Sequence, residues 1–317
     1  MKIKIKSLPS TGLAAAVIAT LALTPTSQAQ TVWFADGDIS PGSWTDTASW
    51  FANDDGTGGN PTSVQGSGDI FDANGYTVNS DDSTGVTNFN ATIRLSGNAP
   101  NGGTAGRLQM RANAVSVDAL ESTGSTGVNF IQQAGPGVTT ATLTVGTTTI
   151  DTQLRPRADG DTQIIDFGDL SGTGDIASIF LGDYTFRASG STENFTGAWI
   201  LNDGTNRFGA SGLGASLGLA DFDQAELRID DTVATSSLEV DRDIYVNELR
   251  ITDTSGINTI TSGTFSGTSL TDLTPDGSIV DQGGTLFVGQ TAPIPEPSAF
   301  ALLAGVSSAL LVLRRRR

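Results

Sequence analysis

Between residues 30 and 293 the chain keeps returning to one short pattern. Four to seven residues alternate apolar and polar side chains and are closed off by Gly, Asn or Asp. "YTVN" (76–79), "ATIRL" (91–95), "RLQMR" (107–111), "AVSVDAL" (114–120) and "ATLTV" (141–145) are early examples. "TQIIDF" (162–167), "DIASIFL" (175–181), "GAWILN" (197–202), "AELRID" (225–230) and "GTLFVG" (284–289) continue it. A two-residue period puts the apolar side chains on one face of an extended segment, and the flanking residues favour turns. No helical period appears between Gln30 and Pro293. The expected fold class is all-β.

The chain has no cysteine, so disulfides are excluded and core packing with hydrogen-bond ladders must hold the fold. Aromatic residues make up 7% of the sequence, fewer than usually fill the space between two sandwiched sheets. The inward positions read mostly as Val, Ile, Leu and Ala. Small aliphatic residues suit stacked coils, so the leading architecture is a parallel β-helix or solenoid, with a β-sandwich as the alternative. Coil length looks irregular and no strict period emerges. No charge run or Pro-rich linker divides residues 30–293, which read as one continuous domain.

The two ends differ from this body. Lys2, Lys4 and Lys6 precede an apolar run at 12–23, interrupted only by Thr20, and Pro25 and Ser27-Gln28-Ala29 follow. These are the three parts of a secretory signal peptide spanning 1–29, with cleavage expected between Ala29 and Gln30. Residues 294–317 read "IPEPSAFALLAGVSSALLVLRRRR". Pro295 and Pro297 keep the chain extended around Glu296, and Ser298 is placed to cap a helix. Residues 299–313 carry no charge and span about 22 Å as a helix, short of a hydrocarbon core of roughly 30 Å. Arg314, Arg315, Arg316 and Arg317 lengthen the span by snorkelling and hold that end in the cytoplasm.

Charge and composition close off many functions. Of 17 basic residues, three lysines and four arginines lie in the terminal segments, and one of 34 acids is Glu296. The body therefore holds 10 arginines against 33 carboxylates, a net of −23. Such a surface repels nucleic acid, and no nucleic-acid partner is expected. The absence of His and Cys, and of Lys in the body, removes serine triads, thiol nucleophiles, Schiff bases and His-ligated zinc. Paired carboxylates or an Asp-held calcium with an arginine base stay open. "RPRADGD" gathers Arg155, Arg157, Asp159 and Asp161, although Asp159-Gly160-Asp161 reads more readily as a turn. Asp36-Gly37-Asp38 starts like a calcium loop, but Pro41 and Thr47 break the pattern. No catalytic residue, metal site or cofactor is expected beyond incidental surface calcium.

Two resemblances sharpen the reading. "LSGTGDI" (170–176), "ENFTGAWILNDGTNRFG" (193–209) and "GLGASLG" (212–218) resemble the autotransporter-associated β-strand repeat. The head, with Trp33, Trp44 and Trp50, is similar to the Trp-rich start of such solenoids. The open end of a first coil needs a cap, which these tryptophans are expected to supply, with a sugar-stacking platform as the alternative. That family's fold is a right-handed β-helix exposed outside the cell. The resemblance does not extend to a porin-like barrel, so the autotransporter secretion route is not implied. Pro295-Glu296-Pro297, the apolar run and the four arginines resemble a PEP-CTERM sorting signal. This implies an exosortase-type membrane peptidase as partner and cutting near the motif. It also implies a membrane-held intermediate, then delivery to the cell surface or extracellular matrix. The expected role is a non-enzymatic structural or adhesion-type surface protein, with extracellular polysaccharide as a further partner. The alternatives are a secreted β-helix carbohydrate-active enzyme and a glycan-binding module.

Overall fold

The computed structural model describes residues 30–82, 86–97, 105–124, 127–133 and 137–293. The signal segment up to Ala29 and the tail with Pro295, Glu296, Pro297 and Arg314 to Arg317 lie outside the described residues. Within them the chain is nearly all β, and successive strands fall alternately into two long sheets of 12 and 11 strands. Each strand pairs in parallel with strands of the coils before and after it. Antiparallel pairing is confined to Gly256–Ile260 and Gly263–Phe265 near the C-terminal end and to a single bridge of Phe34 with Phe51 near the N-terminal end. This is a parallel β-solenoid. The sandwich alternative fails because sandwich sheets are built from antiparallel neighbours.

Alternation explains the coil. In Ala114–Ser122 and Thr140–Ile150 every second side chain is buried through most of the strand. Equivalent inward residues of successive coils then stack. In the first sheet one ladder runs Val115, Leu143, Ile165, Phe186, Phe208. In the second sheet another runs Leu154, Ile176, Trp199, Leu227, Leu249.

The middle of the solenoid has the period that is hard to see in the sequence. Thr140 pairs Thr162, Thr162 pairs Asp183 and Asp183 pairs Thr205, steps of 22, 21 and 22 residues. Toward the ends the steps lengthen, as from Gly204 to Ser236 (32) and from Leu238 to Ile279 (41). Glycines mark the regular coils at 146, 168 and 190. Gly168 has φ +60°, and a Cβ there would stand 2.0 Å from the Gly146 carbonyl oxygen. Only glycine permits that approach between stacked turns.

Most buried hydrophobic residues are Val, Ile, Leu and Ala, as expected, but the core also holds gathered aromatic rings. Aromatic side chains are few, but 11 of the 20 among the described residues are fully buried, and they fall into two clusters. In the middle coils Trp199 has the rings of Phe167, Phe186, Phe195, Phe208 and Phe222 around it, at centre distances of 5.0–5.8 Å. At the N-terminal end Trp44 lies 5.0 Å from Phe89 and Trp50 lies 5.1 Å from Phe71. Trp44 and Trp50 thus cover the first coil, and Trp50 Nε1 donates to the Trp44 carbonyl at 3.0 Å. Trp33 does not join them; half-buried in Val32–Phe34, it donates Nε1 to Asp69 at 3.0 Å. At the far end, antiparallel Gly256–Ile260 and Gly263–Phe265 interrupt the parallel pattern at the sheet edge. One piece of the repeat-like stretch is not a strand: residues 212–217 form a 3₁₀ helix closed by Gly218 at φ +78°.

Candidate functional site

The second sheet presents its outward side chains as columns running along the solenoid. Arg107–Met110, Val128–Gln133 and Gln153–Arg157 alternate half-buried and buried positions, so their outward residues fall into register. Arg107, Phe130 and Arg155 form one column, and Gln109, Gln132 and Arg157 form the next. Pro156 lies inward opposite Ile131 and has no N–H to offer. The ladder onward to Ile176–Ser178 shrinks to one pair, Leu154 with Ile176. Beyond that strand, Phe180 sits beside the columns, its ring 6.3 Å from Phe130.

The arginines here are held by rings more than by acids. The guanidinium carbon of Arg107 lies 5.3 Å from the centre of the Phe130 ring, and that of Arg157 lies 4.7 Å from Phe180. Arg157 also pairs with Asp159 at 2.6 Å, and Arg111 pairs with Asp82 at 2.6 Å. Arg155 donates Nε to Gln153 Oε1 at 2.6 Å. Among the described residues neither Arg107 nor Arg155 has a carboxylate within ion-pair distance. Residues 83–85, 98–104, 125–126 and 134–136 contain no Asp or Glu.

An interior residue sets the corner of this surface. Tyr184 is buried, donates its hydroxyl to the Phe180 carbonyl at 2.9 Å and accepts from the Ala158 N–H at 3.2 Å. Burial pushes its pKa up to about 12, so the hydroxyl stays protonated and keeps donating. The chain on either side of the columns is thereby tied to the core.

The "RPRADGD" stretch resolves into parts of this surface. Arg155 and Arg157 point outward, and Asp159 and Gly160 make a turn at φ +53° and +96°. Asp159 spends its carboxylate on Arg157 and Gln132. Asp38 of the calcium-like loop accepts the Thr77 N–H at 2.8 Å, and no group of three or more metal-ligating side chains occurs among the described residues. Gln30, the residue expected to follow signal cleavage, donates Nε2 to the Gly68 carbonyl at 3.0 Å. No helix among the described residues is long and apolar enough to cross a membrane.

Arg107, Gln109, Phe130, Gln132 and Phe180 do not stand out in the sequence as site residues. The available signal is R-x-Q at 107–109, F-x-Q at 130–132 and R-x-R at 155–157. Aligning these needs the coil register, which shifts by 23 residues from Arg107 to Phe130 and by 25 from Phe130 to Arg155.

Comparison with known proteins gave no matching family model, no similar curated protein and no similar solved structure.

Proposed function

We propose that this chain is an exported, non-enzymatic structural or adhesion-type protein of the cell surface or extracellular matrix. Its 294–317 segment serves as a PEP-CTERM sorting signal cut by an exosortase-type membrane peptidase. The carrying observation is the continuity of the solenoid. Ten strands of the first sheet follow one another from Val32–Phe34 to Ile279–Asp281. At strand spacings near 4.8 Å they make a rod about 45 Å long. Such a rod offers two broad faces for contacts, a geometry suited to spacing and adhesion. The winding follows the right hand that parallel crossovers favour. With Arg as its only cation, the body keeps its positive charges across the pH range of an external medium.

The signal segment 1–29 sends the body outward, and the arginines at 314–317 hold the opposite end inside until processing. The Pro295-Glu296-Pro297 motif is then the place of cutting by the peptidase. Mass spectrometry of the surface-located protein tests this reading. The expected C-terminus lies near Pro295–Pro297, and the expected N-terminus is Gln30. Recovery of intact residues 298–317 on surface protein overturns the processing step.

A glycan-binding role is the second reading, favoured by one observation. The Phe130 and Phe180 rings, the outward Gln side chains and the arginines share one face of the second sheet.

A further inference from the structure

We infer that the outer face of the second sheet around Arg107, Phe130 and Arg155 is a docking strip for a carboxylated polysaccharide. The partner class rests on the extracellular reading above; the geometry does not.

The first argument is charge. A body with 10 arginines against 33 acids has few cations to spare, and most of its arginines are neutralised by neighbours. Arg94, Arg111, Arg157, Arg187, Arg207, Arg228, Arg242 and Arg250 each pair with an Asp or Glu. The two left without a carboxylate among the described residues, Arg107 and Arg155, stand in the same column with only Phe130 between them. They stand together on one face of a body whose net charge has the opposite sign. At physiological salt the field of the remaining acids is screened beyond about 8 Å, so these contacts decide what approaches.

The second argument is chemical form. A guanidinium resting over a ring keeps its N–H fork in plane and free for bidentate pairing with a carboxylate. Phe130 holds Arg107 in that pose at 5.3 Å. Gln109 lies beside them at an outward position, and an amide pairs with hydroxyls as donor or acceptor; Gln132 Nε2 is engaged by Asp159 and Gln153 Oε1 by Arg155. Two rungs separate Arg107 from Arg155, about 9.5 Å at ordinary strand spacing. A uronate chain presenting the carboxylates of alternate sugars on one side matches a wide, regular spacing of that kind. Duplex nucleic acid carries a phosphate charge about every 1.7 Å along its axis. Two free arginines on an acidic rod do not neutralise such density.

The test uses the full chain in a nonionic detergent, with oligogalacturonate as probe, neutral dextran oligomers and polyphosphate as comparators, and titration calorimetry as readout. Oligogalacturonate should bind in 0.15 M NaCl and weaken at higher salt, while dextran should bind at least tenfold less tightly. Arg107→Gln with Arg155→Gln should weaken binding tenfold or more, the scale of two lost charge-assisted contacts. Arg107→Lys with Arg155→Lys keeps both charges without the fork and should fall between. Arg242→Gln, whose arginine pairs with Asp241 in a turn elsewhere, should leave binding unchanged. Circular dichroism identifies folded variants, and the lysine pair covers a glutamine pair that fails to fold. Wild-type affinity in a folded glutamine or lysine pair overturns the inference. So does dextran binding equal to the uronate, or polyphosphate binding as tight. Failed uronate binding alongside correct C-terminal cutting removes the strip and leaves the sorting proposal standing.

Discussion

The outer face of the second sheet divides into two halves that use arginine in opposite ways. In the C-terminal half "ELR" occurs at 226–228 and again at 248–250, one coil apart, so Glu226 stacks on Glu248 and Arg228 on Arg250. Like charges in adjacent strands repel, and diagonal contacts answer this. Glu226 pairs with Arg228 at 2.6 Å and Arg250 at 2.7 Å, Arg250 also meets Glu248 at 2.7 Å, and Arg228 reaches Asp175 at 3.5 Å. Every charge there is spent inside the molecule. In the N-terminal half Phe130 occupies the rung between Arg107 and Arg155, and those guanidiniums keep their outward capacity. The coil is the same in both halves. The identity of the outward residue alone separates a closed electrostatic network from an open one.

The largest expected effect tests whether the two halves share one core. Trp199 belongs to the ladder joining Leu154 of one half to Leu227 and Leu249 of the other, and it is fully buried. Trp199→Ala removes its five ring contacts and leaves a cavity, costing about 3–5 kcal/mol. Denaturant unfolding should show one transition moved to lower midpoint, with both halves lost together. Two separated transitions would break the comparison by making the halves independent folding units.

A smaller effect should follow from converting one half toward the other. Glu226→Gln withdraws the shared acid, leaving Arg228 with Asp175 and Arg250 with Glu248. The pairs are partly exposed, so the loss should be about 1 kcal/mol. For a chain of this size that lowers the melting temperature by roughly 2–4 °C. Adding Glu248→Gln, which leaves Arg250 without either of its carboxylates, should give the C-terminal half a measurable affinity for oligogalacturonate. A melting shift without any gain in anion binding would show that free guanidiniums do not suffice and that the ring support at Phe130 is required.

The strands were legible because their signal is local. Each quoted alternating segment overlaps a strand, from Thr77–Asn79 to Leu286–Val288. Stacking was less legible because register is a relation between distant residues. The glycines at 146, 168 and 190 carry the 22-residue step, yet longer coils on either side hide it. Bulges between Phe89 and Thr92 and between Phe222 and Glu226 also shift the count along single strands. The aliphatic inward positions were legible, but the two aromatic clusters were not, because a low aromatic fraction says nothing of where the rings fall; gathering Phe167, Phe186, Trp199, Phe208 and Phe222 takes the coil itself. The arginine strip had the same obstacle, since Arg107 and Arg155 are 48 positions apart in the sequence and two rungs apart in space.

The smallest effect compares one buried carboxylate from each half. Asp72, near the N-terminal end, and Asp221, near the C-terminal end, are both buried, and burial raises the pKa of each above the ordinary carboxylate value. Their compensation differs. Asp72 accepts a hydroxyl from Ser96 at 2.6 Å and the Asn74 N–H at 2.8 Å, with Arg94 in the adjacent strand. Asp221 accepts the Asp223 N–H at 3.4 Å and a backbone N–H from Gly214, but is repelled by the charges of Asp223 and Glu193. A raised folded-state pKa means that the folded protein binds the proton more tightly than the unfolded chain. Each residue therefore lends most stability at low pH, and that contribution is lost as pH rises from the unfolded value through the raised one. Replacing either with Asn removes the neutral-pH cost of a buried charge while keeping an acceptor. Asp221→Asn should raise the melting temperature at pH 7, and Asp72→Asn should raise it less or not at all. Both gains should shrink as the pH falls through the raised folded-state pKa toward about 4, where the wild-type carboxyls protonate. Melting curves at pH 7, 5 and 4 provide the check. A larger gain at Asp72 than at Asp221, or a gain that grows on acidification, would show that hydrogen-bond compensation does not distinguish the two halves beneath the surface as charge pairing does upon it.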